Sequence, residues 1–484
     1  MKAIDFNFEI HQPFRLKRYR FFDIGNDHYY YDDFLNDDII TRLAQQSYIP
    51  AAESLLRMIE ETKGAFRCSI SVSGVALEQF EVYVPEFIDL LKKLAKTGSV
   101  EFTATTYAHS LASLFDPEEF EQQVKAQCEK IETLLGVKPK VLRNTELIYC
   151  DEFAPQILAM GFKGCITEGA KHILGWKSPN YVYSAASAPK LKLLLNNSKL
   201  VEDIAQRFGD TTWEAYPLTA DKYIDWIAST PQEEQIITLC LNLETFGAMQ
   251  PAQTGIFQFL EALPRFAAER GVEFWTPSMA ISKLKAVGEL AVVHPISGAD
   301  EARDTSAWVG NPLQREATDK LYAAGERVRL ASDRRLKQDW WYLQAADHFY
   351  YMSTKHFGEG HSNFSPYETP YQAFTNYMNV LSDFLVRVDE QFPQSVDNEE
   401  LNALLTTIRN QEREIETLTR EKDSMSKNLE QYNIEHKYRK TETAEAEEAK
   451  TAAKPAARKA AHAKEAAKKE AAKKEAAKKA PAKK

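Results

Sequence analysis

The first fourteen residues read Met1-Lys2-Ala3-Ile4-Asp5-Phe6-Asn7-Phe8-Glu9-Ile10-His11-Gln12-Pro13-Phe14. Apolar and polar side chains alternate, which is the period of a strand. The stretch lacks the apolar run of about 7–15 residues that a signal peptide carries. It is a first strand, over 3–8, that ends at a polar trio, His11-Gln12-Pro13. Six more short apolar runs of strand character follow, at 66–72, 100–103, 141–143, 164–167, 191–195 and 236–243. Amphipathic stretches at 85–96, 117–135 and 151–160 lie between several of them. Such alternation, with near-continuous apolar strands, predicts a parallel sheet wrapped by helices. Seven units before residue 280 fit an α/β fold of the seven-stranded (β/α) barrel kind. An open doubly wound sheet is the runner-up, because pattern alone does not report closure.

Beyond the strands the pattern changes. Residues 321–332, 338–354 and 371–388 read as three helices of a bundle, with a loop at 356–370 that holds Gly, Ser, Asn and two prolines. A heptad repeat follows. Leu401, Ile408, Ile415, Lys422 and Leu429 share one position, and Leu404, Gln411, Leu418, Met425 and Tyr432 share the position three later. It predicts a parallel coiled coil and a homo-oligomer through residues 401–432, with Gln411 and Lys422 setting register. From 443 on the chain is of low complexity and ends in three EAAKK repeats starting at Glu465, Glu470 and Glu475. Having no apolar face to bury, this tail is expected to be disordered or a solitary helix. The expected organisation is therefore a barrel at 1–300, a helical bundle at 301–395, a coiled coil at 396–442 and a Lys/Ala-rich tail at 443–484.

Composition narrows the class. A hydrophobic fraction of 44% and a charged fraction of 27% over 484 residues are those of a globular protein large enough for a barrel. The net charge of −10 is split: twelve Lys or Arg against three Glu give the chain from Thr451 onward +9, leaving about −19 on the rest. An acidic body does not suit a nucleic-acid groove, whereas the basic tail could meet anionic partners. No apolar run is long enough for a membrane span. The five scattered cysteines, Cys68, Cys128, Cys150, Cys165 and Cys240, form no CxxC; they predict reduced thiols, a cytoplasmic protein and no zinc site.

In a parallel barrel, chemistry sits at the C-terminal ends of the strands. There the sequence places His11-Gln12-Pro13 after the first strand and Glu101, Thr105, Tyr107 and His109 at and after the third. After the fourth comes Arg143-Asn144-Thr145-Glu146-Leu147-Ile148-Tyr149, and at the end of the seventh Asn242-Leu243-Glu244-Thr245-Phe246-Gly247. Asp304 and Trp308 follow in Arg303-Asp304-Thr305-Ser306-Ala307-Trp308. Convergence of polar groups on otherwise apolar strands is the physical argument for an active site. Taken singly, each has a plainer role: His11 bonding a neighbouring strand, or Glu101 or Glu146 pairing with a rim arginine.

Taken in order, these segments, with Gly98–Glu101, Ser306–Pro312 and Asp347-His348-Phe349-Tyr350-Tyr351, resemble the signature regions of glycoside hydrolase family 57, the α-amylase-like branch, over roughly 1–390. The resemblance implies a barrel with a helical C-terminal bundle that acts on α-glucan by a retaining mechanism with no metal or other cofactor. It makes Glu146 similar to the family's nucleophile. His11, Glu101 and Glu244 become substrate contacts, and Asp304 and Trp308 complete the subsites. A retaining glycosidase needs one carboxylate to attack the anomeric carbon and a carboxylic acid about 5–5.5 Å away to protonate the leaving oxygen. The family's acid/base aspartate falls at Asn242, whose amide has no proton to give. Thr105 and Ala248-Met249 are further departures, where the family tends to carry Gly and Glu-His. Three readings stay open: an active hydrolase, glucanotransferase or branching-type enzyme with Glu244 or Asp304 as acid; an α-glucan-binding protein without turnover; and a scaffold that works through its coiled coil and tail.

Overall fold

The computed structural model describes residues 2–355 and 365–392, together with helical stretches at 404–408, 410–415 and 417–419 and the positions 422, 468 and 469. The chain divides into two compact units, Met1–Gln394 and Ser395–Lys484.

The first unit is built on a mostly parallel sheet. Its strands are β1 (Lys2–Ile10), β2 (Cys68–Val72), β3 (Val100–Thr103), β4 (Leu142–Arg143), β5 (Gly164–Glu168), β6 (Val182–Ala185), β7 (Lys192–Asn196), β8 (Ile236–Asn242), β9 (Phe246–Gly247), β10 (Gln250–Pro251), β11 (Val272–Phe274) and β12 (Glu289–Leu290). All nine residues of β1 are buried, because it is covered on both faces. Ile4, Phe6, Phe8 and Ile10 pack with Leu43, Leu55, Phe80 and Leu91 of the surrounding helices. On the opposite face Asn7 donates to the Ser69 hydroxyl at 2.9 Å, so the period-two pattern sorts apolar side chains to the helices and polar ones to the other side.

Register then places the strand ends. β1 runs parallel to β8 with Glu9 opposite Asn242, and parallel to β2 with Ile10 opposite Val72. β2 pairs with β3, β4 with β5, and β5 with β7, all in parallel. β3 meets β4 through the bridge Ala104–Leu142, where the Ala104 amide donates to Val141 at 2.9 Å and the Arg143 amide to Ala104 at 2.8 Å. β7 meets β8 at the single pair Asn196–Thr238.

All seven expected strands are present. β6, β9, β10, β11 and β12 are additional, four residues or fewer each, with β6 antiparallel to β7. The expected helices at 85–96 and 117–135 appear as Pro85–Lys96 and Pro117–Leu135. Asp116 caps the latter by accepting from the Glu119 amide, and Gly136 closes it at φ 72°. The expected helix at 151–160 is shorter, Ala154–Ala159. In the C-terminal part, 321–332 and 338–354 each break in two. The helices there are Pro312–Tyr322, Gly325–Leu330, Arg334–Leu343 and Ala346–Tyr350, followed by Pro370–Glu390. Their inner faces, among them Leu321, Trp340 and Phe384, share one core with Tyr149 and Leu193. Part of the expected loop at 356–370 lies outside the described residues.

In the second unit Leu404, Ile408, Ile415 and Leu418, all expected heptad positions, are helical and exposed. Leu401, Met425, Leu429, Tyr432 and nearly all of the tail lie outside the described residues. Among the described residues no helix is long and apolar enough to cross a membrane.

Candidate active site

The C-terminal ends of β1, β4, β7 and β8, with the loop after β3, surround a cavity of about 1070 Å³. Helices at Ser306–Val309 and Ala346–Tyr350 add Trp308 and Asp347 to its wall.

Glu146 stands in that wall on a backbone few residues adopt. Its φ is 52°, and Leu147 follows at 58°. A left-handed conformation costs a non-glycine residue about 1–3 kcal/mol, so neighbouring bonds must impose it. Asn144 supplies two, donating to the Ile148 carbonyl at 2.9 Å and to the Ser113 hydroxyl at 3.0 Å. The Gly298 amide binds the Glu146 carbonyl at 2.8 Å, and the Thr145 hydroxyl lies 2.7 Å from that of Thr106.

Facing Glu146 is His109, also left-handed at φ 54°. Its Nε2 lies 3.2 Å from Glu146 Oε1 and its Nδ1 3.6 Å from Glu9 Oε1. Burial works against a proton on this ring, but the carboxylates of Glu9 and Glu146 outweigh it and push the pKa up to about 8. His109 is therefore an imidazolium at neutral pH, directed at Glu146. Glu9 is ion-paired with Arg143, and both are buried. Burial opposes the Glu9 charge, yet Arg143 and His109 hold its pKa below the ordinary value.

His11 stacks on His109 with ring centroids 4.1 Å apart. Its Nε2 is 2.9 Å from Asp347 and its Nδ1 2.8 Å from the Ser73 hydroxyl. Against the opposing effect of desolvation, Asp347, half-buried in the wall, is held well below the usual carboxylate range by the imidazoles of His11 and His109.

Asn242, the last residue of β8, is exposed to the cavity. Glu244 lies two residues on, in the 3-10 turn Leu243–Thr245. Its Oε1 accepts from the Tyr48 hydroxyl and from the Gln12 side-chain Nε2, the latter at 3.2 Å. Burial pushes its pKa up to about 7.

Of the residues singled out in the sequence, Glu146, Asn242, His11, Glu244 and Trp308 line this one cavity. Glu101 does not reach it. It is the second residue of β3, toward the opposite end of the strand, and its carboxylate takes the amide (2.9 Å) and hydroxyl of Ser278. Asp304 also stays out: its Oδ1 accepts from the Ser306 amide at 2.9 Å and from the Ser306 hydroxyl, while Ala302 and Arg303 beside it line the cavity. Glu9, His109 and Asp347 had no assigned role in the sequence, and Arg143, expected as the cation beside Glu146, is ion-paired with Glu9. The signal for Glu9 was there, a carboxylate on the polar face of β1 next to the strand's C-terminal end. Asp347 joins only through folding, 336 residues from His11. Among the described residues no three or more His, Cys, Asp or Glu are grouped so as to hold a metal ion.

A mostly parallel α/β sheet whose strand ends gather carboxylates, imidazoles and an arginine around a large cavity defines a class, that of α/β proteins equipped for carboxylate chemistry. The chain belongs to glycosyl hydrolase family 57, whose family model matches residues 5–293. A protein of Methanocaldococcus jannaschii provisionally named an alpha-amylase is 39% identical over 408 residues, which are 81% of this chain and 86% of the relative. Two solved structures share the fold. A family 57 branching enzyme from Thermococcus kodakaraensis, in complex with glucose, superimposes with a TM-score of 0.60 at 13% identity, over 84% of this chain and 94% of that one. The 4-alpha-glucanotransferase from Thermococcus litoralis gives 0.58 at 16% identity, over 79% of this chain; this chain spans only 60% of its length.

Proposed function

We propose that the cavity takes α-glucan and that Glu146 is the nucleophile of a retaining glycosyl transfer from it, to water or to a second sugar. The observation that carries this reading is the placement of Glu146. It is forced into a left-handed backbone in the cavity wall, its carboxylate fixed by the His109 imidazolium, within a chain of the family. His11 and Glu244 offer hydrogen-bonding groups for sugar hydroxyls, and Trp308 an aromatic surface. The names of the relatives, an alpha-amylase, a branching enzyme and a glucanotransferase, support α-glucan as the ligand class. Asn242 favours a second reading, glucan binding without turnover, because it stands in the acid/base position with nothing to donate.

The cyclic run of pairings β1–β2–β3–β4–β5–β7–β8–β1 supports a closed seven-stranded barrel within residues 1–300, to which the helices of 301–395 add Trp308 and Asp347. Exposed Leu404, Ile408, Ile415 and Leu418 support self-association through 401–432. The basic tail suits anionic partners, and five unpaired cysteines suit the cytoplasm.

Calorimetric titration of the full chain with a maltooligosaccharide is the test. Binding heat saturating at or below millimolar ligand is expected; no heat at that concentration removes the glucan assignment.

A further inference from the structure

Retaining transfer needs a proton donor besides Glu146, and the cavity wall itself narrows the choice. Seven carboxyl groups line it. Glu9 is held by Arg143, Asp347 by His11 at 2.9 Å, Glu202 by Arg303 and Arg207, and Asp300 by Lys355 at 2.8 Å. Each of these four faces a cation or an imidazole, an arrangement that favours the carboxylate over the acid. Glu301 is exposed on the rim loop. Glu146 faces His109. Glu244 alone is enclosed by the wall and bound by a phenol and an amide, with no cation of the described residues on it.

Resting on the glucan reading above, we infer that Glu244 is the general acid and base of the reaction, taking the part that Asn242 cannot. The hydrogen bonds from Tyr48 and Gln12 both fall on Oε1, and the Glu244 backbone also bonds the carboxyl, so the wall fixes its orientation toward the cavity. The charged groups around it agree. Glu9 on β1 disfavours a second negative charge, while Arg15 donates to the side-chain oxygen Oε1 of Gln12 at 2.8 Å. With its pKa pushed up to about 7, the group exchanges a proton readily near neutral pH.

In the first step the Glu244 proton passes to the glycosidic oxygen. The bond from that oxygen to the anomeric carbon breaks as a Glu146 carboxylate oxygen bonds to the carbon. In the second step the Glu244 carboxylate takes a proton from water. The water oxygen bonds to the anomeric carbon and the bond to Glu146 breaks, which restores both side chains and consumes one water.

The test compares the full chain with Glu244→Gln on a maltooligosaccharide and on α-maltosyl fluoride, whose leaving group needs little protonation. The variant is expected to lose about 10²–10⁴-fold in kcat on the maltooligosaccharide. With the fluoride, sodium azide, a nucleophile that needs no base, is expected to restore turnover and yield the α-glycosyl azide. Equal losses on both substrates without azide rescue overturn the inference, as does undiminished cleavage of the maltooligosaccharide by Glu244→Gln. Wild-type chain that binds maltooligosaccharide but cleaves neither substrate also overturns it and leaves the binding reading intact. Absence of binding overturns the glucan reading itself. Tyr48→Phe gives an independent check should Glu244→Gln not fold. Tyr48 stabilises the Glu244 carboxylate, so its removal is expected to move the alkaline limb of the kcat/KM profile to higher pH. An unmoved limb counts against Glu244.

Discussion

The two ends of the parallel sheet treat charge in opposite ways. At the N-terminal end Lys2, Lys192 and Glu101 are tied to structural partners. Lys2 on β1 donates to the carbonyls of Ala228 and Ile227 at 2.8 and 3.2 Å, Lys192 on β7 to those of Ile281 and Leu284 at 2.5 and 2.7 Å, and Glu101 on β3 accepts from Ser278. At the C-terminal end charges face one another across the cavity: Glu9 with Arg143 and His109, His109 with Glu146, His11 with Asp347. Strain follows the same division. Six non-glycine residues have positive φ among those described, and five of them, His109, Glu146, Leu147, Asp300 and Arg303, line the cavity. One end of the sheet spends its polar groups on closing the fold, and the other stores strain and charge where a ligand would meet them.

The largest effect that tests this division is on Glu146. Glu146→Gln keeps the shape of the side chain and removes the proposed nucleophile. Turnover is expected to fall by at least about 10³-fold while maltooligosaccharide affinity, read by calorimetry, stays within about threefold. Retained turnover would place the nucleophile elsewhere. A second test uses the imidazolium. The folded pKa of His109, about 8, is above its ordinary value of 6.5. Its contribution to stability is therefore complete below pH 6.5 and lost as pH rises through about 8, on the order of 2 kcal/mol. The buried carboxyls Glu244 and Glu168, each raised to about 7, act in a lower window, as pH rises from 4.5 to 7. Urea unfolding of wild type and His109→Gln at a series of pH values separates them: the variant is expected to lose the slope above pH 7 and keep that below it. A slope unchanged by the substitution would mean that His109 is not the charged partner of Glu146.

Glu101 probes the opposite end. Glu101→Gln keeps one acceptor for Ser278 and loses the charge that strengthens both bonds, so a stability loss of about 1–2 kcal/mol is expected, with kcat/KM unchanged. A fall in kcat/KM without a fall in stability would restore Glu101 to the site and blur the contrast between the ends.

The sequence showed the strands well and the site unevenly, for reasons visible in particular residues. β1 was legible because its apolar positions alternate and its end is marked by His11-Gln12-Pro13. β6, β9, β10, β11 and β12 were not, since elements of two to four residues carry little periodicity. The helices at 321–332 and 338–354 were read as continuous, but the chain turns at 323–324, just before Gly325, and at 344–345, where Gln344 and Ala345 offer no Gly or Pro as a stop signal. In the site, Glu146, Asn242, His11, Glu244 and Trp308 came from motifs at strand ends. The partners that decide their protonation, Glu9, His109 and Asp347, depend on register and on a helix brought in from far along the chain, neither of which a local pattern records. Glu101 misled because a motif reports neighbourhood along a strand without saying which end of it faces the cavity.

Lys63 is the exception to the division of strain, and it gives the smallest effect. It is left-handed at φ 53° yet exposed, at the end of the helix Ile49–Glu61 and before β2, remote in sequence from every strand end that forms the cavity. Here the conformation serves chain reversal only: the Lys63 amide binds Glu60 at 3.0 Å and the Gly64 amide binds Ile59 at 2.8 Å. Lys63→Gly removes a left-handed penalty of about 1–2 kcal/mol and loses about 0.5–1 kcal/mol to the freer unfolded chain. A gain of about 0.5 kcal/mol remains, roughly 1 °C in Tm. Arg303→Gly relieves the same backbone penalty at the cavity but gives up the ion pair with Glu202 and the bond to the Gly298 carbonyl, so it is expected to lower Tm. Opposite signs in the two melts, with ligand affinity reduced only by the second, would show that strain at the cavity is held in place by the contacts that shape it. Two gains of equal size would show that left-handed residues gather around the cavity without being bound into it.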